Sequence, residues 1–488
     1  MREKTILLWW RMRLAGKRDG SSMRLQALSK RKNAVRPPIS RSDRRAEAKS
    51  LRKVVPRSSH GVWRPPPARP DPVALLEASS EGRLPRLIPL RYGRMLHSPF
   101  TFFRGAASIM AADLATTPVT GLRVQACGDC HLLNFGEFAT PERNLTFDLN
   151  DFDETLPAPW EWDVKRFATS VAIAGRAIGL RDRKCRAVVS RAVRAYREAM
   201  AEFARMCALD VWYARLDART LVRLARHHST QRLFRKTAEQ ARAHTVGHVF
   251  PHLTEVTNGQ CRIADEPPRV FYPPRKAAFE QEVRSVLAVY RETLPDERRV
   301  LLDRYHFVDA AMKVVGVGSV GTRCAVALLL AADNDPLFLQ IKEARPSVLE
   351  PYAGPSGYAA PGQRIVVGQH LMQAASDIFL GWAHGEDGRS YYVRQLRDMK
   401  AAAHIDLMSR VDLAEYARFC AWALARAHAR SGDAARIAGY LGKSDRFDRA
   451  VADFAIAYAN QNEADYTAFM KAVRAGRLHA DVEVRVDG

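Results

Sequence analysis

Acidic side chains and one amide crowd a short part of the chain. Asp129 sits in Gly128-Asp129-Cys130-His131-Leu132-Leu133-Asn134, so an amide follows it by five positions. Asp148-Leu149-Asn150-Asp151-Phe152-Asp153-Glu154 and Trp160-Glu161-Trp162-Asp163 come next. Phosphoryl transfer needs such a set. One carboxylate orients the attacking hydroxyl, while a carboxylate and an amide carbonyl supply oxygen ligands for Mg²⁺ on the phosphates. The plain alternative is an Asp129 that caps a turn, with Asp151 and Asp153 on a solvated loop. The apolar residues around them argue against it.

A second signal lies far downstream. Gly316-Val317-Gly318-Ser319-Val320-Gly321 is glycine-rich enough for backbone N–H groups to approach phosphates, and Lys342 in Phe338-Leu339-Gln340-Ile341-Lys342 can neutralise them. The same segment fits a dinucleotide fingerprint, with Val314-Val315 as the strand, Thr322–Leu330 as the helix and Glu343 as the ribose-binding acid. Asp333-Asn334-Asp335-Pro336 reads as a compact turn, and Lys342 falls mid-pattern; both favour a hairpin. Cys127-Gly128-Asp129-Cys130-His131 matches the haem-attachment spacing, but attachment demands export and no signal segment is expected; as half a zinc site it lacks a second ligand pair.

These residues need elements to hold them. Apolar spacing over 163–206 predicts two helices broken near Gly179, and further helices are expected at 213–245, 276–292, 369–378 and 413–430. Strands are expected at 121–126, 314–321, 324–330, 337–341 and 391–396. The chain has 488 residues, 47% hydrophobic and 26% charged, which suits a globular protein and excludes wholesale disorder.

Its net charge of +23 is unevenly spread. Residues 1–70 hold 20 Lys and Arg against 4 Asp and Glu, leaving 56 against 49 in the rest. The reading is a basic, disordered arm over 1–70, able to touch nucleic acid or an anionic surface through phosphates. Ile6-Leu7-Leu8-Trp9-Trp10 is too short to span a membrane, so no transmembrane segment is expected. Seven scattered cysteines fit a reducing, cytoplasmic setting.

Gly128-Asp129-Cys130-His131-Leu132-Leu133-Asn134, Leu149-Asn150-Asp151-Phe152-Asp153 and Trp162-Asp163 together resemble the motifs of aminoglycoside phosphotransferases and other kinase-like enzymes. With Ser98-Pro99-Phe100-Thr101-Phe102-Phe103-Arg104-Gly105, Val315–Thr322, Lys342–Ser347, Arg394–Asp398 and Leu424–Asp433, the chain is similar over about 55–475 to the bacterial family called domain of unknown function 2252. The kinase resemblance implies Asp129 as base and Asn134 and Asp151 as metal ligands, with Asp153 a second acid. It implies Lys342 under Gly316, Gly318, Ser319 and Gly321 as the phosphate clamp, and Asp163 as anchor of the catalytic loop. It leaves the partner of Lys342 open among Glu350, Gln369 and Gln373.

In kinases the glycine loop precedes the catalytic loop, whereas here it follows. A circular permutation reconciles the two, the 413–430 helix leading into the catalytic loop. The expected fold is α+β, a kinase-like bilobal arrangement: a helical lobe over 71–304, a small antiparallel β lobe over 305–400, helices over 401–475 completing the first lobe, and a tail over 476–488. The expected activity is phosphotransfer with ATP and Mg to an unidentified small-molecule or protein hydroxyl, or adenylyl transfer with the same clamps. The rivals are a nicotinamide-dependent oxidoreductase and a non-catalytic nucleotide- or nucleic-acid-binding scaffold.

Overall fold

The computed structural model describes residues 39–243, 250–251, 253–257, 260–332, 335–396 and 404–481. Its strands, in chain order, are β1 (Arg123–Ala126), β2 (Phe135–Ala139), β3 (Leu145–Leu149), β4 (Leu156–Pro159), β5 (Thr254–Thr257), β6 (Gln260–Ile263), β7 (Val270–Phe271), β8 (His306–Lys313), β9 (Cys324–Leu330), β10 (Pro336–Ala344), β11 (Gly381–His384) and β12 (Ser390–Gln395). The last six form one antiparallel sheet in the order β11-β12-β10-β9-β8-β7. β1 pairs with β4, β2 with β3 and β5 with β6.

β9 shows why this sheet is buried. Cys324-Ala325-Val326-Ala327-Leu328-Leu329-Leu330 is apolar at every position and buried throughout. Successive side chains of a strand face opposite sides. Ala325, Ala327 and Leu329 pack with Val283, Val286 and Tyr290 of the helix Lys276–Arg291. Val326, Leu328 and Leu330 meet Ile263, Val270 and Phe338 on the other side.

Val314–Thr322 forms the loop between β8 and β9 rather than a strand, and Cys324–Leu330 is a strand, not the helix of a dinucleotide fingerprint. The parallel β-α-β unit required by the nicotinamide reading is therefore absent from this segment. The six-stranded sheet also draws on residues before 305. β7 extends it by pairing with β8, and the helix Lys276–Arg291 packs its apolar residues on one face.

The rest is helical. The break near Gly179 is found between Trp160–Ala177 and Asp182–Phe203. The basic 213–245 segment divides into Ala218–Leu224 and His228–Ala243, while Pro361–Met372 replaces the helix expected at 369–378. Arg410–Ser431 starts at a reciprocal cap, Ser409 Oγ accepting the Asp412 N–H and Asp412 accepting the Ser409 N–H. These helices, with Arg446–Arg474, enclose the largest apolar core.

Residues 41–70 are not a disordered arm. Arg52 donates to the carbonyls of Gly439 and Tyr440, and Arg57 to that of Leu441, satisfying the end of the helix Ala434–Leu441. His60 is buried and donates to Tyr440 Oη at 2.7 Å. Arg69 bridges Asp113 and Asp465 at 2.8 and 2.6 Å. Partners, rather than net charge, decide the order of this segment. The expected disorder of 1–38, Asp333-Asn334 of the expected turn and Met399–Ala403 lie outside the described residues, as do Arg397 and Asp398 of the sequence motif.

Candidate functional site

Two short loops meet beside β10 and β12, inner strands of the sheet. The first, Cys127–Asn134, leaves β1 in a tight turn at Gly128, whose φ is +82°. A Cβ there would lie 2.3 Å from the Glu154 carbonyl oxygen, so the turn and the approach both require glycine. Asp163, in the first turn of the helix Trp160–Ala177, accepts the N–H groups of Cys127 at 2.6 Å and Gly128 at 2.9 Å. His428 Nε2 donates to the same carboxylate at 3.1 Å, and Tyr196 Oη donates to His428 Nδ1 at 2.9 Å.

Asn134 ties the first loop to the second. Its amide oxygen accepts the N–H groups of Asp151 at 2.6 Å and Asn150 at 3.3 Å, while its amide nitrogen donates to the carbonyls of Asp129 and Asp151. With both carbonyl lone pairs occupied, Asn134 acts here as a loop clasp and offers no oxygen to a metal.

Asp129 uses one carboxylate oxygen for Arg166, at 2.6 Å; the other faces His131 Nε2 at 3.9 Å. Arg166 is buried, lies over the Phe103 ring and donates to the Phe103 carbonyl, so it fixes Asp129 rather than floating with it.

Asp153 is the hub. Lys342 donates to Oδ2 at 2.8 Å, Ser319 Oγ to the same oxygen at 3.2 Å, and Tyr392 Oη to Oδ1 at 2.6 Å. The partner of Lys342 is therefore Asp153, not Glu350, Gln369 or Gln373. Glu350 accepts from the Ser347 N–H, and Gln369 donates to Gln373, which donates to the Leu149 carbonyl. The β10 register sets Lys342 between Cys324 of β9 and Tyr392 of β12.

Burial pushes the Asp153 carboxyl upward, but the charge and hydrogen bond of Lys342, followed by Tyr392 and Arg394, hold it at about 2. Lys342 loses by burial and gains more from Asp153, so it stays well above its ordinary value. Asp151 is pushed up, first by burial and then by the Asp153 charge, with Lys342 and Arg394 opposing.

The glycine loop is held from behind. The carbonyls of Gly316, Gly318, Val320 and Gly321 accept from Arg94, Arg83, Arg83 and the Leu84 N–H respectively. The N–H groups of Val317, Gly318 and Ser319 have no acceptor among the described residues. Gly318 lies against the Arg104 carbonyl, 3.2 Å from where a Cβ would stand.

Two cavities open around this loop. A cleft of about 530 Å³ is lined by Asn150, Asp151, Gly316, Ser319, Lys342 and Arg394 among others. A second, of about 290 Å³, shares Asp151, Gly316 and Ser319 with the first and is lined by Asp129, His131, Arg104 and Gly318 among others. One Asp151 oxygen accepts the Asp153 N–H at 3.4 Å, and the other has no protein hydrogen bond among the described residues.

Among the described residues, no three His, Cys, Asp or Glu side chains converge as a metal cage. Cys127 and Cys130 are free, buried thiols pushed upward, Cys127 first by its hydrogen bond with Cys130 and Cys130 first by burial. No described helix is long and apolar enough to cross a membrane.

Sequence reading missed Tyr392 and Arg166. Neither is adjacent to a motif acid in the chain, and each reaches its aspartate only through strand register or helix packing.

No curated protein and no solved structure matches the chain. One family model matches residues 83–472, which takes in both loops, the glycine segment and Lys342. With four-fifths of its length inside that match, the chain belongs to the family DUF2252, described as an uncharacterized protein conserved in bacteria.

Proposed function

We propose that the protein is a phosphotransferase that takes a nucleoside triphosphate, with magnesium, in the larger cleft and an acceptor hydroxyl from the Asp129 side. The observation that carries this reading is the Lys342–Asp153 ion pair beside a glycine loop whose N–H groups are open. Such a loop and lysine form a cradle for phosphate oxygens.

Magnesium bound to the nucleotide would spread the phosphate charge. The residues fit a metal held mainly through phosphates, with the open oxygen of Asp151 as the protein ligand. Asp153 would contribute by holding Lys342 charged and aimed, and Asn134 by fixing the backbone of Asp151.

Asp129 would orient the acceptor through the oxygen not used by Arg166. In the step, the acceptor oxygen forms a new P–O bond and its proton passes to Asp129. The bond to the nucleoside diphosphate breaks, and the diphosphate leaves with the electron pair. Adenylyl transfer would use the same cradle with attack at the inner phosphorus.

A kinase-like bilobal fold in permuted order is part of this proposal. The sheet from β7 to β12 would act as the small lobe. Support comes from Asp163, which clasps the loop of Asp129 to the helix Arg410–Ser431 through His428.

The test is Mg-ATP binding by calorimetry and transfer of the terminal phosphate followed by ³¹P NMR. Wild type should bind, Lys342→Met and Asp151→Ala should lose binding, and Asp129→Asn should bind without turnover. No binding by wild-type protein would end the proposal.

A further inference from the structure

The smaller cavity carries a set of hydrogen-bond donors without acceptors among the described residues. Four arginines reach its wall, and three are committed. Arg83 donates to the carbonyls of Ser79, Gly318 and Val320; Arg91 to Ser79, Ser80 and the Gly105 carbonyl; Arg345 to the Ser79 and Glu81 carbonyls. Arg104 differs. Its Nε is buried without a partner, and among the described residues its guanidinium has no hydrogen bond or ion pair.

Three further observations point the same way. Ser108 Oγ is buried on the same wall and has no hydrogen-bond partner among the described residues. It stands in the first turn of the helix Ala107–Leu114, whose N-cap, Ala106, offers no side-chain acceptor. The first N–H groups of a helix have no partner within it and carry its positive end. His131, only 8% exposed, lines the cavity with Nδ1 unpartnered. Burial holds that imidazole neutral, its pKa down at about 3.

Unmet buried polar groups are costly, and arginine has donors only. Water can satisfy a hydroxyl, but a guanidinium, a helix N-terminus and a hydroxyl around one space favour an oxyanion. Five acids share the wall. Asp129 pairs with Arg166, Asp153 with Lys342 and Glu343 with Arg323, while Glu154 accepts the Val348 N–H. Asp129 and Asp151 act on Arg104 through charge alone, with no hydrogen bond to its guanidinium among the described residues.

We propose that this cavity is the acceptor subsite and takes a small hydroxylated oxyanion. Its phosphate or carboxylate would sit on Arg104, Ser108 and the N-terminus of the helix Ala107–Leu114, and its hydroxyl would face Asp129. The assignment of this space to the acceptor rests on the phosphotransfer reading; the anion site itself does not. It names a substrate class: an acceptor that is already anionic, rather than an amine or a neutral sugar.

The test uses the whole chain and three probes: glycerol 3-phosphate, glycerate and glycerol. Binding is followed by calorimetry and thermal shift in wild type, Arg104→Gln, Arg104→Lys, Ser108→Ala and Lys342→Met, with folding checked by circular dichroism. At least one of the two anions should bind and glycerol should not; which anion binds tells phosphate from carboxylate. Arg104→Gln should weaken binding by about tenfold or more, the loss expected for a charge-assisted hydrogen bond. Arg104→Lys should restore part of it, and Lys342→Met should retain it. Anion binding that survives Arg104→Gln, or that vanishes in Lys342→Met alone, would place the anion in the larger cleft and overturn the proposal, as would equal binding of glycerol or none of either anion. Mg-ATP binding is measured on the same samples. Its absence in the wild-type protein would defeat the phosphotransfer reading and leave Arg104-dependent anion binding standing.

Discussion

His428 donates through Nε2 to Asp163 Oδ2 at 3.1 Å, joining two residues far apart in the chain, both almost wholly buried. The same carboxylate holds the turn that begins the Asp129 loop, so one acid couples the helices Trp160–Ala177 and Arg410–Ser431 to the candidate site.

Asp163→Ala should therefore be costly. It leaves the Cys127 and Gly128 N–H groups and His428 without their acceptor, and each unmet buried group costs about 1–3 kcal/mol. Urea unfolding should show a loss of several kcal/mol, with His428→Ala milder. A loss below 1 kcal/mol for Asp163→Ala (an order-of-magnitude bound, ~1 kcal/mol) would mean that the turn is held by something else.

Lys342 and Asp153 should behave as one unit. Removing either leaves the other's charge without its partner, and breaking a buried pair costs about 3–5 kcal/mol. Because Ser319 and Tyr392 also donate to Asp153, Lys342→Met should be milder than loss of the acid without replacement. In a double-mutant cycle, Lys342→Met with Asp153→Asn should cost clearly less than the sum of the two single changes. Additivity would show that the ion pair is energetically idle.

Arg69 is one of the cations that fasten the segment before residue 70 to the body of the protein. Arg69→Ala leaves Asp113 and Asp465 facing each other with no cation between them, although Tyr458 still donates to Asp113 at 2.6 Å. Loss of a buried partner of this kind should cost about 3–5 kcal/mol in chemical denaturation. A neutral result would show that Arg52, Arg57 and His60 hold this segment without help from Arg69.

The motifs of the candidate site were legible because loop chemistry is local. Asp129, Asn134, Asp151, Asp153 and Lys342 were all named from residue type and spacing, and the structure brings the loops and the strand that carry them together. What each side chain does within the group was not legible. Asn134 turns its oxygen inward to the Asp151 N–H, and Lys342 selects Asp153, because hydrogen bonding across loops depends on distances that no spacing encodes. Strand boundaries around Val314–Thr322 failed for a related reason. Alternating valine and glycine looks like a strand, but the carbonyls are claimed by Arg83 and Arg94 from another part of the chain. The same blindness to partners made the arginines of 41–70 look like a free tail.

Lys165 gives a pH prediction. Its ammonium is fully buried, lies 5.0 Å from the centre of the Phe454 ring and has no hydrogen-bond partner among the described residues. Burial lowers its pKa to about 7, against the opposing charge of Glu161 one turn earlier on the same helix. His60 faces it from the N-terminal segment and is itself held down at about 3, first by burial and then by the Lys165 charge. In the unfolded chain a lysine titrates near 10.4. Between about pH 7 and 10.4 the unfolded state therefore binds more protons, and stability should rise with pH across that window. Below about pH 7 both states are charged, and the full cost of the buried cation is present. Lys165→Met keeps most of the volume and removes the charge, so it should stabilise the protein by a few kcal/mol at pH 6 and flatten the rise above pH 7. Denaturation curves of wild type and variant at pH 6, 8 and 10 decide it. A variant no more stable than wild type at pH 6 would show that Glu161 offsets the burial of Lys165 in full.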